Sequence, residues 1–467
     1  MIEDEEEFRD SVAHISAEGK RVWFFPKKPK GYFYNFRSYL SWVYLTVFFT
    51  LPLIKFHGAP LFMLNLIDRI YILFGVRFWP QDFFIFVLGM LIFVVFIILF
   101  TVIFGRVFCG WVCPQTIFME MVFRKIEYWL EGDRKAQMAL RSQPWTSKTL
   151  TRRILKIILF LAVSFAIANT FLMYIIGSDA VWNIATEPVS QHVGGFLAIV
   201  IFSLVFFFVY YWFREQVCLI VCPYGRMQGV MLDKNSIAVT YDHVRGEPRT
   251  KHIKKTADQP HGDCVDCLEC IRVCPTGIDI RNGLQLECVN CTACMDACDT
   301  VMEKTHREKG LIRYASENSV LTKTKLKLNK RIVAYSLVLL ALVSVEAFLL
   351  ITRSELEVNS VRTRNTLFTV ESDGKIGNLY NIKLINKTSD EMNIEFKIEG
   401  KNASFDWIGH QTKLQPGEMK NGELFVYVPV EELPSQRNDV KLEIYSNGEL
   451  KATENLVLLA PNKLNRP

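Results

Sequence analysis

The chain has 467 residues, of which 50% are hydrophobic, and its formal net charge is +6 at pH 7. A chain this long and this apolar is not a single soluble domain. No pattern typical of RNA or DNA binding accompanies the positive charge, so we expect no nucleic-acid partner and attribute the excess of Lys and Arg to membrane topology.

Apolar runs of about 18–20 residues, the length that crosses a bilayer, recur along the chain. They predict a polytopic α-helical membrane protein with about five spans, at Tyr39–Phe56, Phe83–Ile103, Leu155–Ile176, Val193–Phe213 and Ile332–Ile351. A further run, Leu61–Trp79, contains Asp68 and Arg69 and is interpreted as a re-entrant or interfacial segment, the alternative being a poor sixth span. The first residues, MIEDEEEFRD, are acidic, so no cleavable signal peptide is expected.

Basic residues are distributed unequally between the short loops. Seven Lys and Arg residues precede position 39 and ten lie between Arg106 and Lys156, whereas the segment GSDAVWNIATEPVSQH has none. Because cytoplasmic loops carry the excess of Lys and Arg, the amino terminus is predicted to be cytoplasmic and the carboxyl terminus periplasmic. The predicted location is a bacterial inner membrane.

The cysteines follow the same asymmetry. All 12 lie between Cys109 and Cys298, on the predicted cytoplasmic side or at that membrane face. Structural disulfides would be found in the oxidising compartment instead. We therefore expect these thiols to serve metal binding or redox chemistry.

Two apolar spans are followed by the same C-x3-C-P motif, in FCGWVCPQT and VCLIVCPYG. Residues i and i+4 share one helical face, so Cys109/Cys113 and Cys218/Cys222 are each predicted to present two thiols together. Proline after the second cysteine predicts that a new helix begins there, and a helix amino terminus with arginines nearby lowers the pKa of a thiol. The flanking arginines are Arg106, Arg214 and Arg226, which also satisfy the positive-inside rule.

These four thiols could bind Cu(I), act as a dithiol/disulfide couple or hold another metal centre. The alternative is that they are small buried residues that terminate two helices.

The polar region 214–331 contains two cysteine runs, CVDCLECIRVCPTG and ECVNCTACMDACDT. In C-x2-C-x2-C-x3-C spacing, the fourth cysteine of each run ligates the cluster of the other run. A ferredoxin-like domain with two [4Fe–4S] clusters is therefore predicted. The first cluster is assigned Cys264, Cys267, Cys270 and Cys298, and the second Cys288, Cys291, Cys294 and Cys274. Two structural zinc sites are the alternative.

Beyond Arg353 the composition changes to alternating segments such as ELFVYVPV, separated by Gly, Asn, Asp and Pro. This pattern predicts an immunoglobulin-like β-sandwich outside the membrane, which we interpret as a docking or stabilising module. The predicted boundaries are 1–38 for the cytoplasmic amino-terminal segment, 39–213 for the membrane domain with the first C-x3-C-P motif, 214–331 for the cytoplasmic cluster region with the second, 332–352 for the fifth span and 353–467 for the sandwich.

Four isolated residues carry weaker signals. Glu346 lies inside the last span, where a charge is costly, and is interpreted as reaching the outer interface or bonding another helix. His192 is interpreted as an interfacial residue rather than a metal ligand, and His410 is the lone histidine of the sandwich. Asp299 stands where a ferredoxin run would have proline, and its carboxylate is expected to lower the potential of the adjacent cluster.

The segments DRIYILFGVRFWPQDFF, GRVFCGWVCPQT, CPYGRMQGVM, CTACMDACDTVMEK and GLIRYAS resemble those of the cytochrome c oxidase accessory protein family, CcoG/FixG/RdxA. The resemblance covers most of the chain. More distantly, the paired C-x3-C-P motifs are similar to those of the quinol-dehydrogenase membrane proteins of nitrate and nitrous-oxide respiration.

The resemblance implies a cupric reductase that supplies Cu(I) for the assembly of a haem–copper oxidase. It implies the membrane, copper ions and copper chaperones or oxidase assembly factors as partners, and the four C-x3-C-P cysteines as the catalytic residues. The alternatives are a quinol dehydrogenase that passes electrons between the quinone pool and its clusters, and a non-catalytic assembly scaffold. A homo-oligomer is compatible with the sequence, and without a C-x-x-C-H motif no c-type haem is expected.

Overall fold

A computed structural model describes residues 21, 23–56, 59–65, 70–73, 76–78, 82–144, 146–250, 261–323, 330–363, 367–371, 373–388, 390–408 and 413–461. The chain forms two compact units. The first comprises the described parts of Met1–Leu53 and Leu88–Val343, and the second those of Ile54–Val87 and Ser344–Pro467.

The helices are given first, in chain order. They are α1 (Tyr32–Thr50), α2 (Phe83–Phe104), α3 (Val107–Trp111), α4 (Pro114–Ile117), α5 (Arg124–Leu130), α6 (Arg134–Ser142), α7 (Ser147–Ile176), α8 (Ser178–Thr186), α9 (Val193–Phe208), α10 (Pro223–Met231), α11 (His243–Gly246), α12 (Glu269–Val273), α13 (Ala293–Lys304), α14 (Glu317–Thr322) and α15 (Lys330–Ile351). Three π-helical turns, Phe118–Phe123, Val209–Phe213 and Val217–Val221, occur near the two C-x3-C-P motifs.

Among the described residues, four helices are long and apolar enough to cross a membrane. They are Phe83–Phe104, Ser147–Ile176, Val193–Phe213 and Ile332–Ile351. These helices agree with the second to fifth predicted spans, and the polytopic helical fold is confirmed. Helix α7 starts earlier than its predicted span because a capping box between Thr146 and Thr149 begins the helix before the apolar run does.

The first predicted span, Tyr39–Phe56, differs from the helix that is found. Helix α1 begins after Gly31 and ends at Thr50, where a 3₁₀ turn, Leu51–Leu53, follows it. At its amino end the backbone N–H of Tyr34 donates to Asp296 at 2.8 Å. Near its carboxyl end the Phe48 carbonyl accepts a hydrogen bond from Tyr174, close to the end of α7. Helix α1 therefore runs from the cluster region to the far end of a spanning helix.

The cluster region is built on a short two-stranded sheet and two helices. Strand β6 of this sheet, Ala238–Tyr241, pairs antiparallel with Ile312–Ala315. Helices α12 and α13 follow the second cysteine of each run and pack together around a shared apolar core. This core includes Val239, Ile280, Met302 and Leu311 beside several of the cysteines.

Strand β6 and its partner β7 (Ile312–Ala315) belong to the first unit, and the other described strands belong to the second unit. In chain order, the strands of the second unit are β1 (Lys55–Phe56), β2 (Ala59–Pro60), β3 (Phe62–Asn65), β4 (Ile70–Leu73), β5 (Val76–Phe78), β8 (Leu356–Arg362), β9 (Thr369–Val370), β10 (Lys375–Asn386), β11 (Met392–Ile398), β12 (Ser404–Ile408), β13 (Lys413–Leu414), β14 (Met419–Pro429), β15 (Arg437–Ser446) and β16 (Glu449–Leu459).

The described part of Leu61–Trp79 is β-structure, so the alternative of a sixth helical span is wrong. Strands β3, β4 and β5 form a three-stranded antiparallel sheet. Asp68, Arg69 and Gly75 divide the apolar run into pieces of three or four residues rich in β-branched and aromatic side chains, which fit a strand better than a helix. The re-entrant or interfacial location stays a prediction, and residues 66–69 and 74–75 lie outside the described residues.

The predicted immunoglobulin-like sandwich is confirmed. One sheet has the order β12-β14-β10-β8, with β9 on β10, and the other the order β13-β11-β15-β16. Alternate residues of β14 and β15 point into a common core that includes Ile376, Leu424 and Leu442. The hydroxyl of Tyr380 donates to the Val457 carbonyl at 2.7 Å and joins the two sheets.

A buried ion cluster joins the segment before α2 to the sandwich. Asp82 is only 4% exposed and accepts hydrogen bonds of 2.7 Å from both Lys387 and Arg353. Lys387 also pairs with Glu357 at 2.7 Å. The second unit therefore includes residues that the predicted domain boundaries assigned to the membrane domain.

Candidate metal and thiol centre

One cavity in the cluster region collects the cysteines assigned to the first cluster. Its volume is about 20 Å³. Its lining includes Cys264, Cys267, Cys270 and Cys298. The crossover of Cys298 from the second run is present in the geometry.

A second cavity collects the cysteines assigned to the second cluster. Its volume is also about 20 Å³, the same as that of the first. Its lining includes Cys274, Cys288, Cys291 and Cys294. Cys270 lines both cavities, so a single side chain lies between the two candidate centres. Two cavities of equal size with four thiols each fit two [4Fe–4S] clusters.

The two cysteine runs share a backbone conformation that the sequence did not reveal. Asp266 and Leu268 flank the second cysteine of the first run, and Asn290 and Thr292 flank that of the second. All four have φ between 46° and 65°. Such left-handed residues are rare outside glycine, and alternating them with ordinary residues turns successive N–H groups toward an anionic centre. The repetition supports two equivalent anion-binding loops.

Burial dominates the electrostatics of the cluster thiols. It raises the pKa of Cys270 and of Cys288 to about 12, and that of Cys291 to about 11 against the nearby charge of Arg37. The pKa values of Cys274, Cys294 and Cys298 are also raised by burial. Because metals bind thiolates, insertion of a cluster releases these protons.

The C-x3-C-P motifs adopt a common turn rather than one continuous helical face. The N–H of Cys113 donates to the Phe108 carbonyl at 2.9 Å, and the N–H of Cys222 donates to the Val217 carbonyl at 2.8 Å. In each motif the second cysteine ends this six-residue turn, and proline begins the next helix. The predicted new helices after Cys113 and Cys222 are therefore found. The two cysteines of each motif are joined by the turn and not by regular α-helix.

The structure brings the four C-x3-C-P thiols together. Cys218 lies within electrostatic range of Cys109, Cys113, Cys222 and Arg106. Burial raises the pKa of Cys218 to about 12, and the neighbouring thiols reinforce that shift. As with the cluster cysteines, its thiolate needs a metal or another cation to be stable.

The thiol group packs directly against the loop of the second cluster. Cys109 shares an apolar cluster with Val289 and Cys291. A Cβ added to Gly110 would lie 2.4 Å from the Val289 carbonyl oxygen, so only glycine permits this approach. The side chain of Arg106 donates to the Leu286 carbonyl and fixes the same loop.

A third cavity lies beside Cys218. Its volume is about 20 Å³, and its walls include Met119, Glu120, Arg214 and Glu215 as well as Pro275 next to the second cluster. Thr116 also lines it, is 7% exposed, and has a hydroxyl with no hydrogen-bond partner within the described ranges. This cavity has room for about one water-sized group beside Cys218.

The other residues singled out from the sequence have separate surroundings. His192 pairs with Glu187 at 2.5 Å, at an exposed position. Asp299 accepts a hydrogen bond from the Gly310 N–H at 2.9 Å and closes a turn. Glu346 lies half-buried in α15. The side chain of Arg226 and all of His410 lie outside the described residues.

Comparison with known proteins defines the family. The chain is 36% identical to the nitrogen fixation protein FixG of Rhizobium meliloti over 82% of its own length and 80% of that protein. It is 32% identical to the protein RdxA of Cereibacter sphaeroides over 81% of its own length and 83% of that protein. The chain belongs to the FixG/RdxA family.

Family models match three parts of this FixG/RdxA chain. A 4Fe-4S dicluster domain matches residues 213–317, a 4Fe-4S binding domain matches 86–136, and the IG-like fold at the C-terminal of FixG matches 347–461. The protein is thus an iron–sulfur membrane protein of the electron-transferring oxidoreductase type. The match at 86–136 contains only two cysteines, Cys109 and Cys113.

A solved structure of a FixG-related protein from Vibrio parahaemolyticus is also similar. It is 22% identical, with a TM-score of 0.19, and the alignment covers 24% of this chain and 99% of that one.

Proposed function

We propose that this protein reduces Cu(II) to Cu(I) at Cys109, Cys113, Cys218 and Cys222, with electrons that arrive through two [4Fe–4S] clusters. The observation that carries the proposal is the packing of Cys109 and Gly110 against the loop of Cys288 and Cys291. Four thiols held beside a cluster form an electron exit rather than a structural cap.

The chain arranges its centres in a line. When bound, the clusters supply one-electron transfer. Cys264, Cys267, Cys270 and Cys298 would hold the first, and Cys274, Cys288, Cys291 and Cys294 the second. Cys270 borders both cavities, and Cys109 packs against Val289 and Cys291, which line the second. Electrons held at either centre can therefore reach the thiols through the second.

The thiols favour the product of this reduction. Cu(I) is a soft ion that thiolates and thioethers bind in preference to oxygen ligands. Met119 and Cys218 line the third cavity together with Glu120 and Glu215, whose carboxylates pair with Arg124 and would exchange that partner for the harder Cu(II). A site with both ligand types can accept Cu(II) and retain Cu(I) until a carrier removes it.

We further propose that the product is passed to copper chaperones that serve the assembly of a haem–copper oxidase. The distribution of Lys and Arg supports an inner-membrane orientation with the clusters in the cytoplasm and the sandwich in the periplasm. Alkaline phosphatase fused after Asn359 should be active and a fusion at Ala257 inactive. The opposite pattern would invert the topology.

The reductase proposal is tested with purified protein reduced by dithionite, desalted and mixed anaerobically with Cu(II) and a Cu(I)-specific chelator. The wild type should form Cu(I), and a variant with all four C-x3-C-P cysteines replaced by serine should not, although its iron content and visible absorbance are unchanged. Equal Cu(I) formation by both proteins would reject the proposal. A wild type whose clusters cannot be reduced would leave only a scaffold role.

A further inference from the structure

A large pocket of the first unit has no role in the chemistry described above. Its volume is about 480 Å³, within the range of about 300–1,000 Å³ that small-molecule sites occupy. Its walls come from the start of α7, the end of the π-helical turn after α9, helix α6 and the segment before α1. The residues that line it include Trp23, Phe25, Glu131, Arg141, Leu150, Arg153, Ile154, Lys156, Ile157, Tyr211, Trp212 and Arg214.

One side of this pocket is apolar and open where the membrane begins. Leu150, Ile154 and Ile157 lie on the first turns of spanning helix α7 and are 40–47% exposed. Trp212 ends the span Val193–Phe213 and is 43% exposed, a position typical of an interfacial aromatic residue. A lipid-soluble molecule can therefore enter sideways from the bilayer.

The opposite wall is held in place by aromatic and cationic contacts. The guanidinium of Arg21 lies 3.9 Å from the Trp23 ring, and that of Arg141 lies 5.1 Å from the same ring. The Lys28 N–H donates to Asp133 at 2.8 Å and fixes the same segment between Trp23 and the start of α1. The pocket thus has a built aromatic wall that faces the apolar one.

The floor of the pocket is charged and continues to the thiols. Lys156 pairs with Glu131 at 3.1 Å and with Glu127 at 2.8 Å, and Glu127 pairs with Arg214 at 2.7 Å. Arg214 has φ 55° and also lines the third cavity with Cys218. A single buried side chain therefore separates the pocket from the thiol centre.

Buried charges of this kind are costly and cluster at functional sites. Beyond Arg214 the network continues through Glu215 and Arg124 to Glu120. Burial raises the pKa of Glu127, but Arg214 and Lys156 outweigh it and hold that pKa at about 2. Glu127 stays ionised as a structural anion, and Glu131 is the carboxylate of this network that lines the pocket.

We propose that this pocket binds a lipid-soluble hydroquinone, which is the electron donor of the protein. The hydroquinone loses two electrons and two protons and leaves as the quinone. When both clusters are bound they would take up one electron each, so one donor molecule would supply both. Glu131 accepts the two hydroxyl protons in turn and releases each through the pocket mouth, while Lys156 orients the ring oxygen. The hydroquinone is thus the electron donor for the proposed copper reduction. Its binding here depends on that proposed function only in where the electrons finally go.

An anionic phospholipid fits the pocket less well. A phosphate needs cations that have no other partner. Lys156 and Arg214 are paired with buried carboxylates. Of the other two cations in the lining, Arg153 donates to the Leu140 carbonyl and Arg141 lies over the Trp23 and Phe25 rings. Binding of a lipid headgroup also would not require a charged network that extends to the cavity of Cys218. A ring with two oxygens uses both the aromatic walls and the Lys156–Glu131 pair.

The test fills the pocket with a matched pair of substitutions in the full-length protein. Ile154→Trp places an indole in the pocket, and Ile158→Trp places one on the same helix at a residue that is 55% exposed and does not line it. Binding of a short-chain ubiquinone is measured by dialysis and extraction. Ile154→Trp should bind it about tenfold or more weakly, a loss of about 1.4 kcal/mol or more, and Ile158→Trp should bind like the wild type.

Cluster reduction gives the second readout. Short-chain ubiquinol should bleach the visible absorbance of the wild type and of Ile158→Trp, and it should bleach Ile154→Trp and Glu131→Gln at least about tenfold more slowly. Dithionite should reduce all four proteins equally. Unchanged quinone binding by Ile154→Trp would overturn the proposal, as would retention of phosphatidylglycerol that quinone does not displace. Failure of the dithionite-reduced wild type to reduce copper would overturn the proposed function. It would not contradict hydroquinone binding in this pocket.

Discussion

Replacing Gly110 by alanine tests the contact between the thiol centre and the second cluster. The new Cβ would lie 2.4 Å from the Val289 carbonyl oxygen and 2.9 Å from the carbonyl carbon and oxygen of Asn290, where ordinary contact begins at 3.4 Å. The obstructing atoms are backbone, which cannot rotate away. The shortfall is 3.4 − 2.4 = 1.0 Å, so the loop and α3 must separate by about that distance. Overpacking of this kind costs about 1–3 kcal/mol.

The separation should appear in both stability and electron transfer. We expect Gly110→Ala to melt at a lower temperature, to lose part of its second cluster on purification and to reduce copper more slowly per remaining cluster. Iron analysis, thermal unfolding and the chelator assay measure these three effects. Gly194→Ala is the matched control, because a Cβ there meets nothing within 4 Å. A Gly110→Ala protein with normal iron content, melting temperature and copper reduction would refute the packing argument.

Three further predictions follow from the buried groups. Cys274→Ser should remove the second cluster and spare the first, so that iron falls from about eight to about four atoms per chain; loss of the first cluster alone would contradict the crossover. Arg37→Gln should lower the reduction potential of the second cluster in a redox titration, because Arg37 is 3% exposed and its charge acts on Cys291; an unchanged potential would remove Arg37 from that role. Asp82→Asn should destabilise the second unit by about 3–5 kcal/mol in denaturant unfolding, because Lys387 and Arg353 lose a buried partner. Asp373→Asn, which breaks only the exposed pair with Lys375, should change nothing measurable, and equal effects of the two would discount burial as the cause.

The acid dependence of the second unit has the same origin. Burial acts to raise the pKa of Asp82, but hydrogen bonds from Lys387 and Arg353 outweigh it, and the pKa is lowered. A lowered carboxyl pKa stabilises the fold above the unfolded-state value, and that stability is lost as the pH falls through the folded-state value.

Long-range periodicity and ligand spacing were readable from the sequence. The four most apolar spans needed only length and hydropathy, and the alternation of β14 showed the sandwich. The crossover of Cys274 and Cys298 between runs follows from spacing alone, and the structure has each of them in the cavity where the pattern places it. Such features depend on the pattern of neighbouring residues, which a single sequence shows directly.

Features that depend on tertiary context were missed. Helix α1 contains Arg37 and Ser41 on its buried side, which lowered its hydropathy and displaced the predicted span. The strands at Phe62–Phe78 gave no clear pattern because each has only three or four residues, and the ion partners of the adjacent Asp82, Arg353 and Lys387, are remote in sequence. The left-handed residues Leu268 and Thr292 gave no signal, since their conformation is imposed by the loop and not by their type. The charged floor of the pocket could not be predicted either, because Glu131 and Lys156 lie among basic residues whose presence the membrane topology already explains.

The most direct test of the central claim is the rate at which Cu(II) reoxidises clusters that have been reduced beforehand, followed by visible absorbance in a rapid-mixing experiment. If Cys109, Cys113, Cys218 and Cys222 are the electron exit, wild-type clusters reoxidise quickly and one Cu(I) appears for each electron lost. The four-serine variant then keeps its clusters reduced over the same interval. Reoxidation at the same rate in both proteins would show that electrons leave the clusters by another route, and the account would be wrong.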